Sequence, residues 1–579
     1  MTIRRVHAPG PVATTLVTAV LLLLLGAATL WSLRPPTARP ASAAPTAFSA
    51  DRALAMLPDI AAAPRPAGSR AAANVRSHLV EELRRLGLEP TVQSRVAVRS
   101  PQGTRPAFAN VANVHARLPG SEPTGRVLLV AHHDSVPTGP GASDNGANVV
   151  AALEIVRALR SAPTPRNDVD VVFTDAEEVG LLGAQAFVDS GIAGDPRRVA
   201  VVNLEARGVS GPAVMFEMEG GLTSAVADAS AVTTSFADTV YGLLPNDTDL
   251  TVLTHAGMRG INLAYFEGVA HYHTAHDDLG RVDPASVQHM GQTALGAVKS
   301  LAAADLSRQE SEACYFSAFG TVVSYPAWLT LPAALLLAGG YVVLVLSGRR
   351  HGVRPVRVAL AAGSLAPVLV ASLGVGIGGW WLLQALQPQF GFGIGAVYHP
   401  APYVAAGFVL QLALLVVWYR WARRRSSLVE IVTGVLGWFA LLAMVCAFLL
   451  PGGAYLFTWP AVVGTAALAV ARTAAPESRW RTPALAAAAA PATVPPAPGG
   501  GADHPRRRPR AQRRSAATAH AARGDGAAAA GTLVRQEVHG GTRCRAADRS
   551  LWDRRSGDGG EPAQRRLPAS GQLGIYPGG

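Results

Sequence analysis

Five long apolar runs in the second half of the chain constrain its architecture more than any other feature. They lie at about Pro326 to Leu346, Val358 to Leu386, Pro402 to Trp418, Leu428 to Leu450 and Tyr455 to Ala471. A helix of about 17–25 apolar residues, rising 1.5 Å per residue, crosses a hydrocarbon layer of about 30 Å. The loops between the runs sort by charge. The first carries Arg349, Arg350, Arg354 and Arg357, and the third carries Arg420, Arg423, Arg424 and Arg425, while Gln387 to Ala401 has neither Arg nor Lys. Basic loops stay in the cytoplasm, so the alternation predicts five spans with the arginine clusters inside and the preceding domain outside. Helices buried in one large soluble core would not alternate so regularly with arginine.

The rest of the chain divides around this region. Arg4 and Arg5 precede a further apolar stretch, Pro11 to Leu33, which predicts a membrane anchor over residues 1–34 with a cytoplasmic N-terminus. A cleaved signal peptide is the alternative, because Ala41-Ser42-Ala43 is a small-residue pattern that a signal peptidase accepts. Residues 35–50 form a Pro/Ala linker, 51–306 an α/β domain, 307–325 a second linker and 326–472 the five-helix membrane region. Residues 473–579 are a tail rich in Ala, Arg, Gly and Pro without periodicity. The expected whole is a multi-pass integral protein of the cell membrane whose α/β domain is extracytoplasmic.

Charge would suggest a nucleic-acid partner only if it were spread over a fold. The formal charge is +12, yet from Gly501 onward 15 Arg stand against 7 acidic residues, so +8 of it belongs to the tail. That composition predicts disorder, or the product of a shifted reading frame, and no nucleic-acid partner. The three cysteines, Cys314, Cys446 and Cys544, share no metal-type spacing and imply no disulfide framework.

Within 51–306, strand-like runs recur at Asn110 to Ala116, Val127 to Ala131, Val169 to Phe173, Val199 to Leu204 and Ile261 to Phe266. They alternate with helical segments such as Ala71 to Leu86 and Asn148 to Leu159. The order predicts a mostly parallel sheet with helices on both faces, a three-layer α/β/α domain. Chemistry-bearing residues fall at the ends of these elements, where open α/β sheets place their active sites. His132 follows one strand; Asp144 stands at a helix entrance after a Gly/Pro-rich loop; Glu178, Glu205 and His273 end or follow later strands. One His and one carboxylate for each of two ions, plus a bridging carboxylate, is a donor set suited to zinc. Singly, each residue has a duller role: Asp144 as a helix cap, Glu177 and Glu178 as a solvated helix start, Glu205 as a strand-end charge, and His273 and His276 as surface histidines.

Together, five segments resemble the motifs of the dizinc aminopeptidase family. They are His132-His133-Asp134, Ser143-Asp144-Asn145, Asp175-Ala176-Glu177-Glu178-Val179-Gly180-Leu181-Leu182-Gly183, Asn203-Leu204-Glu205 and Tyr272-His273-Thr274. The membrane layout resembles the branch of vacuolar membrane proteases, or endoplasmic reticulum metallopeptidases. The resemblance implies two Zn2+ ions, one held by His132, Asp144 and Glu205, the other by Asp144, Glu178 and His273, with Asp144 bridging. It implies Glu177 as general base and Asp134 as the carboxylate that orients the His132 ring. Glu205 stands where many soluble members have aspartate. Asp249, Asp277 and Tyr272 sit in family-like surroundings, Asp277 as a local brace, and His133 points to the opposite strand face as a structural residue.

The activity implied is peptide-bond hydrolysis from a free N-terminus, on a peptide or protein substrate, beside a lipid bilayer. Carboxypeptidases and a one-zinc glutaminyl cyclase share related folds, and a full two-ion ligand set argues against the cyclase. The rival from another class is a membrane scaffold or transporter component with a peptidase-like binding module. Loss of Glu177 or of a ligand would favour it, and all are present.

Overall fold

The computed structural model describes residues 20, 24–29, 31–100, 106–223, 225, 232–244, 246–391 and 397–473. The expected N-terminal anchor therefore falls largely, and the tail from 474 onward wholly, outside the described residues.

The first half builds one mixed sheet. Two short helices, α1 (Ala50–Ala55) and α2 (Leu57–Ala61), precede α3 (Arg70–Arg85), β1 (Thr91–Arg99), β2 (Ala107–Leu118), β3 (Arg126–His132) and α4 (Asn148–Arg160). Then come β4 (Asp168–Thr174), α5 (Leu182–Ser190), β5 (Val199–Ala206), β6 (Val214–Glu219), β7 (Val232–Thr233), α6 (Ser235–Tyr241), α7 (Asp249–His255), β8 (Arg259–Tyr265) and α8 (Pro284–Ala303). The eight strands lie in the order β1-β2-β4-β3-β5-β8-β6-β7. The four central strands, β4, β3, β5 and β8, are mutually parallel, while β2 and β6 flank them antiparallel.

Alternation along β3 explains the three layers. Val127, Leu129 and Ala131 face the core shared with α1 to α4 and α8, and Leu128 and Val130 face Phe187 of α5 and Leu250 and Leu253 of α7. Every residue from Val127 to His132 is buried, which is why the strand reads as a continuous apolar run. The edge strand β1 does not: Val96 and Val98 are exposed, and only Ala97 is buried.

Residues expected as a linker after 307 contain a hairpin, β9 (Ala313–Ala318) paired antiparallel with β10 (Thr321–Pro326). Its turn, Phe319-Gly320, has positive φ at both positions, the backbone twist that two-residue hairpins favour. Phe319 at the first of them is not a usual turn residue, so the sequence carries little of that signal.

Among the described residues, five helices then follow: α9 (Thr330–Arg349), α10 (Pro355–Leu386), α11 (Ala401–Arg423), α12 (Leu428–Leu449) and α13 (Tyr455–Thr473). All are long and apolar enough to cross a membrane. Helix α12 packs against α9, α10 and α13. At Gly434 an added Cβ would stand 2.9 Å from the Ala362 nitrogen and 3.0 Å from the Val358 carbonyl oxygen of α10, so the two backbones touch where small residues permit it.

The sheet domain rests on the turn between α12 and α13. Ser235 Oγ donates to the Gly452 carbonyl at 2.7 Å, Thr234 and Tyr455 share a short hydroxyl hydrogen bond, and Phe316 of β9 stacks on Tyr455 at 4.6 Å.

Candidate metal centre

Each candidate side chain is delivered by the end of a central strand or by the loop after it. His132 closes β3, Glu205 is the penultimate residue of β5, and Glu177 and Glu178 follow β4. The chain turns sharply there, with positive φ at Ala176, Gly180 and Leu181. Asp144 sits in the loop entering α4, and His273 on the turn after β8, itself at φ +58°.

The expected ligands converge. Asp144 presents Oδ1 to His132 Nε2 at 3.2 Å and Oδ2 to His273 Nε2 at 3.1 Å. His273 Nε2 also lies 3.0 Å from Glu178 Oε2, and His132 Nε2 lies 3.7 Å from Glu205 Oε2. Among the described residues, His132, Asp144 and Glu178 offer ligand atoms that all lie within 4.8 Å of one another. Two ligands held about 2.0–2.2 Å from one tetrahedral zinc stand roughly 3.3–3.6 Å apart, close to these spacings.

Asp144 Oδ2, Glu178 Oε1 and His273 Nε2 are buried with no hydrogen-bond partner among the described residues. Buried polar atoms are rarely left so, and three of them in one pocket fit a cation.

Electrostatics agree. Burial and the Asp144 charge push Glu178 up to about 7. Burial, then Asp144 and Asp249, push Glu205 up to about 8 against the pull of His132. Burial raises Glu177 well above its ordinary value, with Glu205, Glu178 and Asp249 adding to it against the pull of His132. Burial opposes a charge on His273, yet the carboxylates of Asp144 at 3.1 Å and Glu178 at 3.0 Å lift it to about 10. The carboxylates crowd one another beside the two imidazoles, and a divalent ion would neutralise that charge.

The surroundings hold the cluster in place. Asp134 faces His132 Nδ1 at 3.5 Å and accepts the main-chain N–H groups of Glu177 at 3.1 Å and Glu178 at 3.3 Å. Asp277 is the expected brace: its carboxylate accepts the N–H groups of Ser143 at 2.7 Å and Asp144 at 3.0 Å. Asp249 binds the Thr174 hydroxyl at the end of β4. Asn203 Nδ2 donates to Glu205 Oε1 at 3.1 Å and to Asn262 Oδ1 at 2.8 Å. Tyr272 stacks on His273 with ring centroids 3.7 Å apart, and the Arg207 guanidinium lies 5.4 Å from the Tyr272 ring centre. His133 points elsewhere, its Nε2 lying 3.3 Å from the Ala112 carbonyl.

Sequence reasoning misses Arg65. It is fully buried and donates to the carbonyls of His133 at 2.7 Å, Gly141 at 3.0 Å and Pro140, so one guanidinium shapes the loop between His132 and Asp144. Burial lowers its pKa, while Asp134, Asp144, Asp277 and Glu178 pull the other way. No local pattern around Ala63-Pro64-Arg65-Pro66 marks it out, because its partners are backbone atoms some 70 residues away.

Comparison with known proteins follows the same residues. Residues 113–298 match the model of Peptidase family M28. The chain is 33% identical over 204 residues to a vacuolar membrane protease of Yarrowia lipolytica, covering 34% of this chain and 20% of that protein. It is 31% identical over 225 residues to the vacuolar membrane protease of Saccharomyces cerevisiae, covering 38% of this chain and 23% of that one. The match thus spans about a fifth of the length of these relatives. A solved Zn-dependent exopeptidase from Parabacteroides distasonis aligns over 44% of this chain and 99% of its own, at 23% identity and a TM-score of 0.35. Residues 113–298 of this chain thus match peptidase family M28, and the relatives similar to it over that region are vacuolar membrane proteases.

Proposed function

We propose that this chain is a membrane-bound zinc metallopeptidase that removes residues from the free N-terminus of peptides, with residues 51–306 as the peptidase domain. One observation carries the reading: Asp144 turns one oxygen to His132 and the other to His273, as a carboxylate bridging two ions does. His132, Asp144 and Glu205 would hold one zinc, and Asp144, Glu178 and His273 the second. Bound zinc supplies Lewis-acid polarisation of the scissile carbonyl and lowers the pKa of water toward about 7.

The chain's own groups do the rest. Glu177 takes a proton from the attacking water and returns it to the leaving amine, a role suited to a carboxylate whose pKa is raised by its surroundings. Asp134 holds the His132 ring on one side and the Glu177-Glu178 backbone on the other. Release of an amine from an N-terminal residue follows the resemblance of the motifs rather than any contact in the cleft.

Orientation follows from charge. The arginine clusters lie in the first and third loops of the membrane region, and the sheet domain contacts the turn between α12 and α13. These features support a peptidase domain facing away from the cytoplasm. That side is the outer face of a cell membrane or the lumenal face of a vacuolar one.

The test is metal analysis joined to hydrolysis of chromogenic aminoacyl substrates by the purified full chain and its Glu177→Gln variant. About two zinc equivalents in both proteins, with turnover reduced about 100-fold or more in the variant, supports the reading. Undiminished turnover in the variant removes Glu177 as the base, and a folded chain without zinc or hydrolysis points to a binding module.

A further inference from the structure

The turn that carries His273 is held from two sides. On the sheet side, the Thr138 hydroxyl donates to the His273 carbonyl at 2.8 Å, and Gly139 leaves no room for a Cβ, which would stand 2.1 Å from the Thr274 carbonyl oxygen. On the other side stands Tyr398, a residue of the link between α10 and α11 in the membrane region. Its ring centroid lies 5.0 Å from that of His271 and 6.1 Å from that of His276, and these two lie 5.9 Å apart. The three rings close a triangle around the residues on either side of His273.

His273 needs such support. Its φ of +58° places a side chain with a Cβ in the left-handed region, which persists only where surrounding contacts over-determine it. The His271 carbonyl accepts both the N–H of Thr274 at 3.2 Å and its hydroxyl at 2.8 Å, so a shift of His271 is transmitted across His273. Tyr398 thereby touches the turn without touching the cluster itself.

We propose that Tyr398 is a positioning residue for His273, so that the membrane region completes the metal centre instead of only anchoring it. The inference rests on the reading of His273 as a zinc ligand. Groups that orient a ligand, without binding metal, typically change metal affinity by 10–100-fold when removed.

The experiment uses the full chain in detergent micelles, as purified and as Tyr398→Ala and Tyr398→Phe. Zinc retention is read by competition with a chromogenic chelator, alongside kcat, KM and the melting temperature. We expect Tyr398→Ala to release one zinc equivalent about tenfold more readily, with kcat falling more than KM changes and melting little altered. Tyr398→Phe keeps the ring and should behave as the parent. A zinc-loaded parent matched in retention and kcat by Tyr398→Ala overturns this inference alone. Equal loss in the Phe and Ala variants with a lowered melting temperature also overturns it, as a folding effect. A parent that retains no zinc overturns the reading of the centre and this inference with it.

Discussion

The Asp134 carboxylate accepts the main-chain N–H of Glu177 at 3.1 Å while facing the ring of His132. Two strand ends, those of β3 and β4, are thus joined through one side chain. Burial works against its charge, but the hydrogen bond to His132 and the attraction of His132 and His133 hold its pKa below the ordinary carboxylate range. Asp134→Asn keeps the volume and loses the charge. Zinc affinity is expected to fall about 10- to 100-fold, with kcat lowered as the Glu177 turn loosens, and titration with a chelator beside steady-state kinetics checks both.

Arg65→Lys should cost more than its conservative look suggests. An ammonium cannot reproduce the planar fork that reaches three carbonyls, and each buried carbonyl left unpaired costs about 1–3 kcal/mol. We expect a lower melting temperature for the full chain and faster proteolysis within residues 136–141, read by mass spectrometry of the fragments.

Away from the centre, Asp170 accepts hydrogen bonds from Arg117 Nε at 2.8 Å and lies 3.2 Å from His115 Nε2. Burial opposes its charge, yet the His115 and Arg117 hydrogen bonds hold its pKa below the ordinary value. A group depressed in the folded state stabilises above its unfolded pKa of about 3.9 and loses that contribution as pH falls through the folded value. Asp170→Asn should therefore cost about 1.5–3 kcal/mol near neutral pH. The gap to the parent should shrink below about pH 4, as followed by denaturation at a series of pH values.

Gly434→Val tests the membrane packing separately. The new side chain meets the α10 backbone at 2.9 to 3.0 Å from its first carbon, so α12 must move away. The expected result is a lower detergent stability of the helices, with the site residues of the sheet domain unchanged in zinc content at low temperature.

The parts legible in the sequence share one physical cause. Strands buried on both faces, such as Val127 to Ala131, and long apolar helices such as Leu428 to Leu449 announce themselves as apolar runs because few polar side chains are tolerated there. The converging candidate residues were readable as a set because their motifs stand together with strand ends. The edge strand β1 was not, since its outward residues face solvent and alternate weakly. The β9–β10 hairpin was hidden by a turn without a usual turn residue at Phe319. Arg65 and Tyr398 escaped for a deeper reason: their roles depend on partners brought near by the fold, Arg65 on distant backbone carbonyls and Tyr398 on rings more than 100 positions away.

The contact of Ser235 with Gly452 and that of Tyr398 with His271 lie at separate places on the sheet domain. A globule fastened at two points cannot swing on a leash as a singly tethered one does. On the reading proposed above, the metal centre then keeps a fixed bearing toward the lipid plane, and peptides reach it from the layer beside the bilayer.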